Sequence, residues 1–310
     1  MSFVRRGAMQ TTHAAAASFV VAVVVLALWS RRRRHCASQT CTPSLRYGYE
    51  RDGVVLPGSL PRAMPLDVAR SLGAKVIALQ ASTGKAPGGL LQHGHTRYRW
   101  MYDIVTNPII LNAVEHCLRS SDILCWSCSV FAKPPRSAGY VGWHQDIAYW
   151  GLQPADSVVT AWVALTDVGD ASGPMELYRG SHREPSPSQV DTRSPDNMLS
   201  RGQEIAWTAP IDPQCVARAT MAAGCFSLHH ASLAHASGPN GSDGWRIGVA
   251  IRYMPCSAWS ERAEETAMLV RGRDRYGHFT LERPPADDPD DPSTMAQFVH
   301  GRAVKNANTL

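Results

Sequence analysis

The sequence predicts a mainly β protein with flanking helices, because strand-like and helix-like apolar patterns are unevenly distributed along it. Runs of apolar and often β-branched residues, typical of strands, occupy residues 123–131, 157–166, 224–230 and 245–253. Helical spacing of apolar residues occurs at 66–80 and 108–118, in the first half of the chain. Strands that follow a helical first half favour an α+β protein or a helix-decorated all-β protein.

The composition is that of an ordinary globular protein. With 310 residues, of which 44% are hydrophobic and 18% charged, the chain is neither collagen-like nor wholly disordered. The net charge of +5 comes from residues 1–34, whose six arginines and no acid leave 25 basic and 26 acidic side chains elsewhere. The body is therefore not basic, and we expect no nucleic-acid partner. The eight cysteines are too scattered for a disulfide scaffold.

Residues 1–39 form an N-terminal head that we interpret as an anchor or a targeting segment. Its apolar run at 14–29 has 16 residues, slightly fewer than the roughly 20 of a membrane-spanning helix, and four arginines follow at 31–34. The favoured interpretation is a signal anchor that keeps its basic flank and the body in the cytosol. The absence of acids before Glu50 also fits an organelle transit peptide. A mis-assigned start codon of a soluble cytoplasmic protein is the third alternative.

The body, residues 40–310, is predicted to begin with a polar linker at 40–48. Residues 49–60 then form a short strand, which a Pro-Gly pair closes. The two helices and the strand at 123–131 follow. The Lys-Pro-Pro sequence at 133–135 ends that strand, because proline cannot donate to a β-ladder.

Two segments of the second half are predicted to lie outside the core. Residues 184–223 are polar and contain prolines, which favours a lid or an insertion over a core element. The segment 282–310 contains an acidic, proline-rich stretch and is predicted to be a solvated tail.

Cys125 and Cys128 form an isolated C-x-x-C motif within the predicted strand at 123–131. A redox or zinc role would need the pair at a helix start or beside a second pair. Residues three apart on a regular strand point to opposite faces, so we predict a structural role for both cysteines.

A short histidine–aspartate motif supplies the candidate site. His144 and Asp146 are two residues apart at a strand end, so their side chains point to the same side. A metal there gains one nitrogen and one oxygen ligand, and His235 is the candidate for the third. Two histidines and one carboxylate on one face of an octahedron leave three positions open, which is the facial triad of non-haem Fe(II) oxygenases.

Arg246 strengthens this hypothesis. It lies on an alternating strand at 245–253, on the same face as Gly248, Ala250 and Arg252. The small residues leave room around its guanidinium, which can bind a carboxylate through two parallel hydrogen bonds. The alternative for Arg246 is a surface salt bridge. For Arg252, contact with an anionic substrate and an ordinary surface role are equally consistent with the pattern.

Several short motifs, taken together and in this order, resemble the phytanoyl-CoA dioxygenase family of Fe(II)- and 2-oxoglutarate-dependent oxygenases. They are residues 131–135 (FAKPP), 143–146 (WHQD), 160–165 (TAWVAL), 172–175 (SGPM), 180–182 (GSH), 235–240 (HASGPN) and Arg246. The resemblance extends from about residue 49 to the C-terminus.

The resemblance implies a double-stranded β-helix core (a jelly roll, cupin-like) flanked by helices. It implies His144, Asp146 and His235 as iron ligands, and Arg246 as the partner of the distal carboxylate of 2-oxoglutarate. Three further positions match residues that line the cosubstrate pocket of the family: Gln145, Trp162 and Ser129. The family often has a basic residue near positions 92–95, and His93 or His95 is the candidate for it here. One of the adjacent His229 and His230 faces the barrel interior, where it is a candidate to contact the iron ligands. Packing in the core or at the surface is the favoured alternative for both.

The implied activity is hydroxylation of an unactivated C–H bond of a small, acidic or lipid-like molecule, with release of succinate and CO2. O2 is the second cosubstrate, and ascorbate is able to serve as reductant. Asp146 favours hydroxylation over halogenation, because related halogenases lack this carboxylate. The implied partner is a small molecule, together with a membrane if residues 14–29 anchor the chain. The sequence identifies neither the substrate nor an oligomeric state.

Two alternatives stay open at this point. One is a cupin-like metal enzyme on the same barrel that does not use 2-oxoglutarate. The other is a catalytically inactive, membrane-tethered binding protein. The presence of Arg246 argues against the first alternative, and the intact set of three ligands argues against the second.

Overall fold

The computed structural model describes residues 43–262 and 264–308. The α-helices of this part are α1 (Pro43–Asp52), α2 (Leu66–Thr83), α3 (Pro87–Leu91), α4 (Arg99–Val105), α5 (Pro108–Leu118) and α6 (Pro292–Asn308). Its strands are β1 (Val54–Val55), β2 (Ile123–Lys133), β3 (Val141–His144), β4 (Leu152–Gln153), β5 (Val159–Ala164), β6 (Met175–Tyr178), β7 (Gln189–Asp191), β8 (Gln203–Ile205), β9 (Val216–Ala219), β10 (Phe226–His230), β11 (His235–Ser237), β12 (Arg246–Pro255), β13 (Trp259–Ser260), β14 (Thr266–Arg271) and β15 (Thr280–Glu282).

The head and its predicted anchor at 14–29 lie outside the described residues. Among the helices that the structure does describe, none is both long enough and apolar enough to cross a membrane.

Two sheets form the core. The larger has the strand order β1-β10-β5-β12-β2-β14-β15, and only its β14–β15 pair is parallel. The smaller has the order β3-β11-β6-β9 and is antiparallel. Consecutive strands alternate between the sheets, since β10 and β12 lie in the larger sheet and β11 in the smaller. This confirms the predicted mainly β fold with flanking helices.

Apolar side chains from both sheets pack against each other between them. Trp162 and Ala250 from the larger sheet join Leu177 and Ala219 from the smaller one in a single buried cluster. Burying a side chain of the size of leucine stabilises the fold by about 1.5–3 kcal/mol. The two sheets are therefore held at a fixed separation, and residues at their strand ends keep fixed positions.

Helix α5 shows how the sequence sets a local element. The side chain of Asn107 accepts hydrogen bonds from the backbone N–H groups of Ile109 and Ile110, and Pro108 occupies the first helical turn. Its buried apolar residues recur with helical spacing, and the helix packs on β5 and β12. The predicted helix at 108–118 is confirmed, as is the one predicted at 66–80. The four strands predicted from apolar runs are confirmed as β2, β5, β10 and β12.

The prediction for residues 40–60 was wrong in two places. Helix α1 occupies much of the expected linker and the first part of the expected strand, which shrinks to the two residues of β1. Leu45 and Tyr49 lie on one face of α1, and both are buried at 5% exposure. Packing of these two side chains therefore overrides the polar composition that suggested a linker.

The segments expected outside the core contribute to it. Within 184–223, β9 pairs with β6 and belongs to the smaller sheet. The residues before β9 include β8, which buries Gln203 and Ile205. Within 282–310, residues 292–308 form α6, which buries Phe298 and Lys305 at 3% and 2% exposure. The acidic stretch that suggested a solvated tail precedes this helix.

Cys125 and Cys128 of the C-x-x-C motif both lie beside the side chain of His95. The ladder between β2 and β12 shifts register at Trp126, because Arg252 faces Ser127 whereas Tyr253 faces Cys125. One extra residue in a strand brings neighbours three apart to the same face. The expectation that the cysteines point to opposite faces was therefore wrong, although both are buried, free thiols.

Candidate active site

His144, Asp146 and His235 meet where two paired strands end. His144 is the last residue of β3 and lies directly opposite His235, the first residue of β11. Asp146 follows two residues after His144, as the sequence predicts. The three side chains, which we call the triad, each place one ligand atom within 4.8 Å of the others and are buried. Their exposures are 5%, 7% and 6%.

Backbone carbonyls orient both histidines of the triad. Nδ1 of His144 donates to the carbonyl oxygen of Gly142 at 2.9 Å, and Nδ1 of His235 donates to that of Leu233 at 2.9 Å. A carbonyl oxygen can only accept, so the proton is assigned to Nδ1 in each ring. Each Nε2 then keeps its lone pair, and Nε2 of His144 lies 3.6 Å from Oδ1 of Asp146. This is the tautomer that a histidine needs to bind a metal through Nε2.

The protonation states also suit a metal. Burial, and then the proximity of His144, hold the pKa of His235 well below its usual value. Burial alone would raise the pKa of Asp146, but the adjacent side chains of His144 and His229 hold it well below its usual range. His235 is therefore a neutral imidazole and Asp146 an ionised carboxylate, which are the metal-binding forms of these two residues. Oδ2 of Asp146 also accepts a hydrogen bond from the hydroxyl of Thr160 at 3.1 Å.

His229 belongs to the site, although sequence reasoning favoured simple packing. Its Nε2 lies 3.6 Å from Oδ2 of Asp146, and its ring centroid lies 4.6 Å from that of His235. Neither ring nitrogen has a hydrogen-bond partner among the described residues. The alternation on β10 predicts that one of the two histidines faces the interior, since His229 and His230 must face opposite ways. His230 turns away, and its Nδ1 accepts from the backbone N–H of Ser232 at 3.0 Å.

Two buried cations lie side by side next to the triad. Arg246 begins β12 and faces Lys133, the last residue of β2, and their exposures are 2% and 0%. Burial lowers the pKa of Arg246 to about 10. Burial, and then the charge of Arg246, lower the pKa of Lys133 to about 7. Lys133 was treated in the sequence only as the end of a strand, so its place beside Arg246 was missed.

Neutral groups surround these two cations. Nη2 of Arg246 donates to the carbonyl oxygen of Gly173 at 3.0 Å and to Oγ of Ser237 at 3.2 Å. Nζ of Lys133 donates to the carbonyl oxygen of Ser237 at 3.0 Å and to that of Gly238 at 2.5 Å. Within residues 43–262 and 264–308, neither cation is in an ion pair with a carboxylate. Two adjacent buried positive charges without an anion form a binding place for a carboxylate.

The aromatic ring of Trp162 packs against the guanidinium group of Arg246. The guanidinium carbon of Arg246 lies 4.7 Å from the centre of the Trp162 ring, which is a cation–π contact. Gly248 makes room for this ring, because a Cβ at that position would lie 2.0 Å from Cζ2 of Trp162. The small residue predicted beside Arg246 therefore accommodates an aromatic ring.

A cavity begins at the triad and is lined by most of these residues. His144, Asp146, His235, His229, Trp162, Arg246 and Arg252 are among the residues that line it. An adjoining cavity shares His144, Asp146 and Arg252, and is also lined by Ser129, His93 and Lys305. Leu199 lines both cavities and comes from the segment expected to form a lid.

Arg252 lies in the wall of both cavities, not at the surface. It is 9% exposed, and its Nη1 donates to Oγ of Ser129 at 3.1 Å. Its guanidinium carbon lies 5.5 Å from the centre of the Trp150 ring. Its Nε has no partner, and no carboxylate of the described residues forms an ion pair with it. An ordinary surface role for Arg252 is thereby excluded.

The remaining predicted pocket residues are placed differently. The side-chain amide of Gln145 donates to the carbonyl oxygen of Ser232 at 2.7 Å, and Gln145 is not among the residues lining either cavity. His93 lies in the adjoining cavity wall, in a separate group with His95 and Glu282.

Comparison with known proteins identifies relatives that share this fold. The sequence profile of the phytanoyl-CoA dioxygenase family matches residues 68–248. A probable alpha-ketoglutarate-dependent hypophosphite dioxygenase of Stutzerimonas stutzeri is 28% identical over 203 residues, covering 63% of this chain and 68% of that protein. The peroxisomal phytanoyl-CoA dioxygenase of Bos taurus is 26% identical over 191 residues, 57% of this chain and 55% of that protein.

A solved structure extends the match to most of the chain. The non-heme monooxygenase ThoJ in its apo form is 31% identical, with a TM-score of 0.74, and the alignment covers 86% of this chain and 97% of that one. The two sheets described above are the jelly-roll core of such oxygenases, so the predicted fold is confirmed.

Proposed function

Because this chain belongs to the phytanoyl-CoA dioxygenase family, we propose that it hydroxylates an unactivated C–H bond of a small acidic substrate and releases succinate and CO2. Iron(II) is its cofactor, and 2-oxoglutarate and O2 are its cosubstrates. One observation carries the proposal: a buried triad of two histidines and an aspartate lies beside two buried cations that lack an anion.

The residues present fit both groups. His144, Asp146 and His235 would hold iron through two Nε2 atoms and a carboxylate oxygen, which leaves coordination positions for other ligands. Arg246 and Lys133 would hold the distal carboxylate of 2-oxoglutarate, because that carboxylate supplies the negative charge that the two cations lack. Iron, when bound, supplies the redox chemistry that couples oxidation of 2-oxoglutarate to hydroxylation of the substrate.

The chain itself contributes orientation and protection. The carbonyls of Gly142 and Leu233 hold the two imidazole rings in place, and Thr160 fixes one carboxylate oxygen of Asp146. The Trp162 ring under Arg246 keeps the guanidinium plane in one orientation, which favours one pose of the cosubstrate. Burial of the triad limits access of water to the reacting groups.

The position of Arg252 favours an acidic substrate. Its guanidinium lies in the walls of the two cavities that meet at the triad and has no carboxylate partner. A buried cation facing a cavity is stabilised when an anion enters. A carboxylate of the substrate bound there would place a neighbouring C–H bond beside the triad. Arg252 thus favours the acidic class over the lipid-like class that the sequence left open.

The reaction class is tested by succinate formation. The full chain, loaded anaerobically with Fe(II), is mixed with 2-oxoglutarate and air, with His144→Ala as the control variant. Slow uncoupled formation of succinate is expected in the parent chain and none in the variant. Binding of 2-oxoglutarate without any succinate, over a broad set of added acids, would favour a binding protein. Metal retention without binding of 2-oxoglutarate would favour a cupin-like enzyme.

The substrate class is tested with matched pairs of small carboxylic acids and their primary amides. We expect only the acids to accelerate succinate formation, and we expect Arg252→Gln to remove the difference between acid and amide. Equal stimulation by acids and amides in the parent chain would contradict the role given to Arg252, while leaving the reaction class intact.

A further inference from the structure

A second group of two histidines and one carboxylate lies apart from the triad. His93 and His95 belong to the turn between α3 and α4, whereas Glu282 ends β15. Their exposures are 0%, 0% and 8%, and their ligand atoms lie within 4.8 Å of one another. We propose that this histidine–glutamate cluster binds a second divalent metal ion, zinc, in a structural role.

The distances suit a tetrahedral metal. Nε2 of His95 lies 3.3 Å from Oε2 of Glu282. Two ligand atoms that each lie about 2.0–2.1 Å from a tetrahedral zinc ion are themselves about 3.3 Å apart. Nε2 of His93 lies 2.6 Å from Oε1 of Glu282, so His93 would exchange this hydrogen bond for a bond to the metal. Oε2 of Glu282 accepts no hydrogen bond from the described residues and is available as a ligand.

The ring of His95 is held as metal-binding histidines are. Its Nδ1 lies 3.2 Å from Sγ of Cys128, while Nε2 faces the carboxylate. A partner on the second ring nitrogen fixes the tautomer and the orientation of a ligating imidazole. Sγ of Cys125 lies 3.9 Å from Nε2 of His95, on the same face because of the bulge in β2. Cys125 is therefore our candidate for the fourth ligand, and nitrogen, oxygen and sulfur together are a typical zinc set.

A glycine lets helix α6 lie close to the cluster without a clash. Gly301 of α6 faces the cluster, where a Cβ would lie 2.6 Å from Nε2 of His93 and 3.2 Å from Oε1 of Glu282. His93 also has a φ of +62°, which a non-glycine residue adopts only when its surroundings require it. Its backbone N–H donates to the carbonyl oxygen of Cys128 at 2.7 Å, which helps to hold this conformation. A metal here would tie together the turn, β2 and β15 under α6.

The test uses the full chain with both His144 and Asp146 replaced by alanine, so that the triad binds no metal. After removal of metals with a chelator and addition of Zn(II), native mass spectrometry should find one zinc per chain. Addition of Zn(II) should also raise the melting temperature. The further substitution Glu282→Gln should weaken zinc binding by at least about a hundredfold, because one charged ligand is lost. The exposed Glu261→Gln is the matched control and should retain the metal.

A folded triad-less chain that binds no zinc, and whose melting temperature does not respond to it, would overturn the proposal. The cluster would then be a hydrogen-bonded pair of imidazoles and a carboxylate only. If Glu282→Gln does not fold, Co(II) substitution in the triad-less chain decides instead: a four-coordinate visible spectrum supports the site, and its absence overturns it. Because succinate formation is not measured, the result is independent of the proposed activity.

Discussion

The triad and the histidine–glutamate cluster use the same kinds of side chain but differ in what surrounds them. The triad lies where β3 and β11 pair, and it faces cavities lined by Arg246 and Arg252, which form no ion pair with a carboxylate of the described residues. The cluster lies on a turn and a strand end, and it is covered by α6, whose Lys305 already pairs with Glu265. One set of ligands is thus adjacent to arginines that form no ion pair among the described residues. The other lies against a helix whose buried lysine already pairs with a glutamate.

The identity of its ligands alone therefore does not assign a role to a metal site. Unpaired buried cations next to a metal site indicate that an anionic cosubstrate must enter, which suits catalysis. A site without such cations offers no charge partner for an anionic cosubstrate and suits a structural metal. The following predictions test this distinction.

Asp146→Ala should have the largest effect. Loss of the carboxylate ligand should lower succinate formation by at least about a thousandfold and should release the iron. Zinc at the histidine–glutamate cluster should remain, as measured by metal analysis of the purified chain. The exposed Asp67→Ala is the control. Loss of both metals in a folded Asp146→Ala chain would show that the two sites are not independent.

Arg246→Met should raise the KM for 2-oxoglutarate by about 30- to 5000-fold, since removing one partner of a buried charge pair costs about 2–5 kcal/mol. Iron binding should be unchanged, because Arg246 is not a ligand. Arg70→Met is the matched control, since Arg70 forms an exposed ion pair with Asp167 and its loss should have little effect. An unchanged KM in the Arg246 variant would place the distal carboxylate elsewhere.

Lys133→Met should raise the same KM by about 10- to 100-fold at low pH, the range expected for a hydrogen bond to a charged group. The pKa of Lys133 is lowered to about 7, so the free enzyme holds a charged ammonium below that pH and loses it above. The KM of the parent chain should therefore rise as the pH increases through about 7. The variant should lose this dependence, whereas the exposed Lys75→Met should keep it.

The same lowered pKa has a consequence for stability. Between about 7 and the usual lysine pKa near 10.4, the unfolded chain binds a proton at Lys133 that the folded chain does not. The contribution of Lys133 to the free energy of unfolding should therefore increase as the pH rises through this window. Bound 2-oxoglutarate should weaken the trend, because its carboxylate stabilises the ammonium. This is checked by denaturant unfolding of the parent chain and Lys133→Met.

Gly301→Ala should have the smallest effect on catalysis. A methyl group pressed against His93 and Glu282 should lower the free energy of unfolding by about 1–3 kcal/mol and weaken zinc binding. Succinate formation should change little, because Gly301 does not touch the triad. Thermal unfolding and steady-state assays measure the two quantities. A loss of activity larger than the loss of stability would mean that the cluster takes part in catalysis.

Part of the site was predictable, because some of its residues lie close together in the sequence or at the regular spacing of a strand. His144 and Asp146 are two residues apart, and the alternation of β12 placed Arg246 on a face with small residues. Lys133 and Glu282 could not be found in this way, because each reaches its site only through tertiary packing of distant segments. The bulge at Trp126 was likewise invisible, since one extra residue in a ladder leaves no mark on an apolar run.

The predictions for helix α1 and for the segments 184–223 and 282–310 rested on polar composition, which does not by itself indicate that a segment is exposed. Residues 43–52 are mostly polar, yet two side chains on one face suffice to dock the helix. Predictions based on the period of apolar residues succeeded for α2, α5 and the long strands, where many residues contribute to the pattern.

Helix α6 has a practical consequence for producing this protein. Lys305 and Asn306 of this helix line the cavity that adjoins the triad. A fusion partner placed directly after α6 would begin only a few residues from that wall. Kinetic constants measured on such a fusion should therefore be compared with those of protein without it.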